Sequence, residues 1–66
     1  MDPIDFKSKW PVLKPQVTEK WPEITKEEAE NIDGEYSVMI TTLQAKYFYV
    51  QEEAELEIEK FFKSFT

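Results

Sequence analysis

The 66-residue sequence predicts an all-α fold in a single domain, and three observations lead to this prediction. Apolar residues recur every three or four positions in the first and last parts of the chain, as along one face of an α-helix. A capping box marks the start of a helix at Thr25. The length also excludes two domains, because 66 residues lie near the lower end for one.

The first segment carries a helical face that three prolines interrupt. Its apolar positions lie three or four residues apart, at Phe6, Trp10, Leu13, Val17, Trp21 and Ile24. A proline inside a helix removes a backbone hydrogen bond and clashes with the preceding turn, at about 3 kcal/mol. We therefore predict two helices, of which the first is capped by Asp2 and ends near Trp10. The second starts near Pro11 or Pro15 and ends before Pro22.

The next helix has the clearest start signal in the chain. In the sequence Thr25-Lys26-Glu27-Glu28, the Thr25 hydroxyl can accept from the amide of Glu28, whose carboxylate can accept from the amide of Thr25. Gly34 is the only glycine and follows this helix. It either ends the helix in a left-handed conformation or bends the chain into the next element.

Residues 32–50 fit two secondary structures. One helical face would hold the apolar residues Ile32, Tyr36, Met39, Ile40, Leu43 and Tyr47. Against a helix, residues 38–42 are rich in β-branched side chains and residues 47–50 have the composition of a strand. Periodicity favours a helix here, and a β-hairpin is the alternative.

The last segment predicts a helix whose apolar stripe consists of Ala54, Ile58, Phe61, Phe62 and Phe65. Glutamates crowd its first half, and Lys60 and Lys63 lie near its end. This gradient of charge complements the helix dipole. Leu56 is the exception, because it falls on the side of the helix opposite the stripe.

The composition excludes several classes of functional site. The chain has no Cys and no His, so a disulfide, a Cys/His zinc site, a thiol nucleophile and a His-based triad are impossible. The nearest approach to a calcium loop, around Asn31 and Asp33, has Ala29 and Ile40 at its first and last ligand positions. We therefore predict no enzymatic activity, no cofactor and no metal site.

The net charge of −6 is confined to residues 25–66, which carry four lysines against ten acidic residues. An acidic chain without Arg is a poor partner for nucleic acid or an anionic membrane. The acidic N-terminal sequence does not fit a secretory signal, and the longest apolar run, residues 47–50, is too short to span a membrane. We therefore predict a cytoplasmic protein that binds neither nucleic acid nor membranes.

The order of several short motifs along the chain is typical of one protein family. They are Trp10, then Trp21-Pro22-Glu23-Ile24-Thr25, then Ile32-Asp33-Gly34, then Leu43-Gln44-Ala45-Lys46-Tyr47, then Glu52-Glu53-Ala54-Glu55. Over residues 6–62 this order resembles the CsbD-like family of small bacterial general stress response proteins. The resemblance implies a non-enzymatic helical domain and favours the helix for residues 32–47. We therefore predict that residues 1–66 form about four short helices packed as orthogonal hairpins.

The sequence departs from the family pattern around the last two helices. Phe48 stands where the family has a glycine, and Val50 replaces a small residue that usually caps the last helix. A bulky residue at a left-handed position is strained. Either the preceding helix ends differently in this chain, or tertiary contacts hold Phe48 in place.

Three apolar residues are the best candidates for contact with a partner: Phe48, Tyr49 and Leu56. One patch formed by all three would suggest a protein partner or a second copy, so we predict a monomer or a weak homo-oligomer. The leading functional prediction is a cytoplasmic, non-catalytic stress-associated protein that acts through protein binding or abundance. The alternative is an acidic decoy or inhibitor that docks on a basic protein surface.

Overall fold

The computed structural model describes residues 3–65, and its secondary structure there consists of five α-helices. They are α1 (Pro3–Ser8), α2 (Trp10–Lys20), α3 (Lys26–Ile32), α4 (Tyr36–Tyr47) and α5 (Gln51–Phe65). These residues contain no strand, so the predicted all-α fold is confirmed and the alternative β-hairpin in residues 32–50 is wrong. The predicted cap at Asp2 and the side chain of Phe65 lie outside the described residues.

The prolines of the first segment divide it into two helices, as predicted. Only Lys9 separates α1 from α2, and Pro11 lies in the first turn of α2, where a missing N–H removes no helical hydrogen bond. Pro15 is accommodated inside α2. Trp21 leaves the helical region, with φ −119° and ψ 83°, because it precedes Pro22. The first segment thus supplies two of the five helices.

A single core of apolar side chains joins all five helices. Its buried members are Phe6, Trp10, Leu13, Val17, Trp21, Ile24, Ala29, Ile32, Met39, Ile40, Leu43, Ala54, Ile58 and Phe61. Consecutive helices pack against each other from α2 to α5, and α1 packs against both α2 and α4. The Trp21 ring meets the ring of Phe61 edge-on, with 5.2 Å between their centroids. The apolar face predicted for the first segment is therefore buried in full, both indoles included.

Two successive left-handed residues make the turn between α3 and α4. Asp33 has φ 48° and ψ 36°, and Gly34 has φ 77°. The left-handed conformation that the sequence allowed at Gly34 is found there, but it begins one residue earlier. Gly34 is also buried and lies against α1. The turn therefore holds the start of α4 close to the first helix of the chain.

The Glu28 side chain joins the start of α3, at Thr25, to the end of α4, at Lys46. The predicted capping box is confirmed: the Glu28 amide donates to Thr25 Oγ1 at 3.1 Å, and the Thr25 amide donates to Glu28 Oε1 at 2.9 Å. The other carboxylate oxygen of Glu28 accepts from Lys46 Nζ at 2.8 Å, near the end of α4. Two hydrogen bonds hold the pKa of Glu28 below its usual value: the larger effect comes from Lys46, and the next from the Thr25 backbone.

This arrangement predicts an acid-sensitive contribution to stability. A carboxylate whose pKa is lowered by folding stabilises the folded state above its unfolded pKa of about 4.3 and loses that effect as the pH falls through the folded value. We expect the urea midpoint of the wild-type protein to fall more between pH 7 and pH 3 than that of Glu28→Gln. Glu27→Gln, which removes a neighbouring carboxylate of the same helical turn, should retain the wild-type pH dependence. Equal pH dependence in all three proteins would contradict the assigned role of Glu28.

Candidate partner-binding surface

The three residues between α4 and α5 combine exposed apolar side chains with an unfavourable backbone. Phe48 caps α4 in the left-handed conformation, with φ 60° and ψ 29°, and its amide donates to the Gln44 carbonyl at 3.0 Å. Its side chain is 88% exposed. The helix thus ends in the left-handed conformation that a glycine would adopt, and neither alternative predicted for Phe48 is found: α4 does not end differently, and tertiary contacts do not bury the Phe48 side chain. The left-handed conformation costs a non-glycine residue about 1–2 kcal/mol.

Val50 occupies the N-cap position of α5. Its carbonyl accepts from the Ala54 amide at 3.0 Å, and its own amide donates to Glu53 Oε1 at 3.4 Å. A valine side chain cannot accept a hydrogen bond from the first turn, whereas Ser, Thr, Asp or Asn at this position typically adds about 1 kcal/mol of stability. Val50 is 64% exposed, so burial in the core does not compensate for the missing cap.

Tyr49, between these two residues, is held more firmly. It is half-buried, and its ring stacks on the ring of Tyr47 with 5.7 Å between centroids and 17° between planes. The Tyr47 hydroxyl in turn accepts from the Glu23 amide at 3.2 Å. The turn between α2 and α3 therefore fixes Tyr47, which supports Tyr49.

Tyr49 and the outer face of α5 form an open groove of about 480 Å³, here called the corner groove, lined by Tyr49, Glu52, Glu53, Leu56, Glu57 and Lys60. Leu56 is 52% exposed because the opposite face of α5 enters the core. Two of the three residues predicted as partner contacts, Tyr49 and Leu56, thus meet in one groove. Phe48 is exposed but does not line it, so the single patch envisaged from the sequence is not formed by all three.

Acidic residues surround the apolar part of the corner groove. The Glu52 carboxylate makes no ion pair or hydrogen bond within residues 3–65, whereas the Glu57 carboxylate lies 3.6 Å from Lys60 Nζ. The acidic character extends to the side of α5 that faces α4. There, the pKa of Tyr36 is raised mainly by burial and to a smaller extent by the carboxylates of Glu55 and Glu59.

Two smaller grooves are lined by lysines. In one, next to Ile4, Lys7 Nζ donates to Glu35 Oε1 at 2.7 Å. In the other, next to Pro15, Lys14 Nζ pairs with Glu30 Oε1 at 3.3 Å. Lysines thus outnumber or equal the carboxylates that line these two grooves, whereas three glutamates and one lysine line the corner groove.

Within residues 3–65, no group of three carboxylates is placed to hold a metal ion, and no polar or charged residue is buried. None of the helices in this range has the length and apolar character needed to cross a membrane. The α5 residues that line the corner groove come shortly after the exposed residues Phe48 and Val50 in the sequence.

The sequence prediction included two of the six residues that line the groove. The other four, Glu52, Glu53, Glu57 and Lys60, were predicted only as part of a charged helix face. The available signal was their spacing from Leu56, because residues three or four positions apart share one side of a helix. A second stripe running through Tyr49 and Leu56 could have been found in this way.

Comparison with known proteins gives two similar sequences. A UPF0337 protein of Pseudomonas aeruginosa is 31% identical over 56 residues, which cover 85% of this chain and 86% of the relative. A UPF0337 protein of Protochlamydia amoebophila is 33% identical over 61 residues, which cover 92% of each sequence. No family model and no solved structure matches the chain.

Proposed function

Since this chain belongs to the UPF0337 family, and its motifs resemble those of the CsbD-like stress proteins, we propose that it is a cytoplasmic, non-catalytic stress-associated protein that acts by binding a protein partner. The resemblance supports the stress-associated role. The absence of Cys, His and Arg from the sequence supports a role without catalysis.

The observation that supports partner binding is the chemistry of residues 48–50. Phe48 and Val50 are exposed, and each occupies a backbone position at which another residue type would stabilise the fold. Natural sequences break such local rules mainly where function requires it. An exposed phenylalanine ring can bury roughly 150–250 Å² on contact with a partner. Phe48 therefore suits partner binding, although it does not stabilise the fold.

Site-specific cross-linking tests this proposal. Phe48 and, in a second protein, Val12 would each be replaced by a photo-reactive phenylalanine analogue in cells of the source organism, with and without stress. Val12 is 57% exposed on α2 and serves as the matched control. We expect a defined adduct with one identifiable protein from position 48 and not from position 12. Equal labelling from both positions, or none from position 48 under any condition, would contradict partner binding through residues 48–50.

The acidic decoy is the second candidate, and the unpaired Glu52 favours it. A decoy would bind through charge alone, so its complex should weaken steeply with added salt and should tolerate Phe48→Ala. Binding through exposed apolar residues predicts the reverse, with a complex that survives added salt and is lost in Phe48→Ala. Cross-linking in cell lysates at two ionic strengths, from a photo-reactive residue at the exposed position 51 and with and without Phe48→Ala, therefore separates the two functions.

A further inference from the structure

We propose that the corner groove binds a positively charged amphipathic helix of another protein. This inference rests on the proposed partner-binding function and adds the chemical class of the partner. It has two parts, the shape of the groove and the distribution of its charges.

The shape of the corner groove suits a helix laid along α5. Its lining residues on α5 recur at intervals of three or four and follow one side of the helix from Glu52 to Lys60. At 1.5 Å per residue, this stripe is about 12 Å long, which is roughly two helical turns. A partner helix in this position would cover Leu56 and Tyr49 with apolar side chains spaced three or four residues apart.

The charge around the corner groove selects a basic partner. Glu52 and Glu53 lie at the end nearest Tyr49, and Lys60 lies at the other end. Cationic side chains of a bound helix would therefore face Glu52 and Glu53 and avoid Lys60, which places the cationic end of the helix next to Tyr49. A second copy in the same groove would set these carboxylates against each other, in a chain whose net charge is already −6.

The groove is also formed before binding. Tyr49 is fixed by its stack on Tyr47, and Leu56 stands on a helix whose other face is buried in the core. A preformed surface loses little conformational entropy on binding. The corner groove therefore favours a partner segment that folds onto it, without rearrangement of the groove itself.

The test uses the full chain and two synthetic peptides of about 14 residues, long enough for roughly four helical turns. Both carry leucines at helical spacing, with lysines as the charged residues in one and glutamates in the other. Binding would be followed through the backbone amide NMR signals. We expect the lysine peptide to shift the signals of Tyr49, Glu52, Leu56 and Lys60, and the glutamate peptide to leave them unchanged.

Matched variants locate the site. Leu56→Ala should weaken binding of the lysine peptide about tenfold, because it removes the central apolar contact. Glu52→Lys should weaken it several-fold, with a difference that shrinks as salt is added. Glu19→Lys makes the same change in net charge on α2 and should bind as the wild type does.

Four results would overturn the inference. One is equal binding of the two peptides, and another is equal weakening by Glu52→Lys and Glu19→Lys, which would reflect net charge alone. The third is a shift of the same signals when the protein alone is concentrated, with dimers in sedimentation, because a second copy would then be the occupant. If the lysine peptide fails to bind while the position-48 adduct still forms, the partner class is wrong and the proposed function stands.

Discussion

Gly34→Ala is expected to destabilise the protein by about 3 kcal/mol, from roughly 1–2 kcal/mol for the left-handed backbone and a further 1–3 kcal/mol for overpacking. A total stability of about 3–10 kcal/mol is usual for a domain of this length, so the variant would lose a large part of it. The effect should appear as a lower urea midpoint and a lower Tm.

The expected loss has a steric origin as well as a conformational one. A Cβ atom on Gly34 would lie 3.0 Å from Trp10 Cβ and 3.1 Å from Lys7 Cα. The second contact is with the backbone of α1, so rotation of a side chain cannot relieve it. Either α1 moves away from the turn, or the turn gives up its left-handed conformation at φ 77°.

Asp33→Ala is the matched control in the same turn. Asp33 also has a positive φ, of 48°, but its Cβ is already accommodated. The change removes the tolerance of Asp for this conformation and the attraction of its carboxylate for Lys7 at the protein surface. We expect a loss of well under 1 kcal/mol. A Gly34→Ala protein no less stable than Asp33→Ala would show that the close approach of α1 to the turn is not present in solution.

The parts of the fold that sequence could predict are those set by neighbours in the chain. The capping box at Thr25 lies within four residues, and the end of α2 before Pro22 follows from one steric clash. The burial of Trp10 and Trp21 followed from helical spacing alone. Each of these features is decided within about one helical turn.

The β-branched residues in α4 are the reason that the sequence left a β-hairpin open as an alternative to the helix. Thr41 and Thr42 reduce helix propensity, yet their hydroxyls donate to the carbonyls of Ser37 and Val38 at 3.0 Å and 2.8 Å. Packing of the inward face of α4 in the core supplies most of the stabilisation, because most helices in proteins depend on tertiary burial.

One support of the candidate surface joins distant parts of the chain, and sequence could not provide it. The Glu23 amide, in the turn between α2 and α3, donates to the Tyr47 hydroxyl at the end of α4. The close approach of Gly34 to Lys7, elsewhere in the fold, likewise joins a turn to a helix that is distant in sequence. The exposure of Phe48, by contrast, agrees with its prediction as a candidate for exposed apolar contact. What the sequence could not show is that Phe48 lies outside the corner groove.

Phe48→Gly is expected to stabilise the protein by about 1–2 kcal/mol, because glycine adopts the left-handed conformation without the cost that a side chain incurs. For a domain of this size, 1 kcal/mol corresponds to roughly 4–8 °C in Tm. Little packing is lost in exchange, since 88% of the side chain is already in solvent. The urea midpoint should rise while the dependence of stability on urea concentration stays unchanged.

Phe48→Ala separates stability from binding. It removes the ring but keeps the Cβ and therefore the strain at φ 60°, so its stability should lie within about 0.5 kcal/mol of the wild type. Both variants should lose the partner that the proposed function requires, measured by cross-linking from a photo-reactive residue at position 51, which is exposed beside residues 48–50 and does not line the corner groove. A stabilised Phe48→Gly protein that still forms this adduct would show that the ring at position 48 is dispensable, and the strain there would then need another explanation. Loss of the adduct in both variants, with stability gained only in Phe48→Gly, would mean that this chain gives up stability at residue 48 in order to bind.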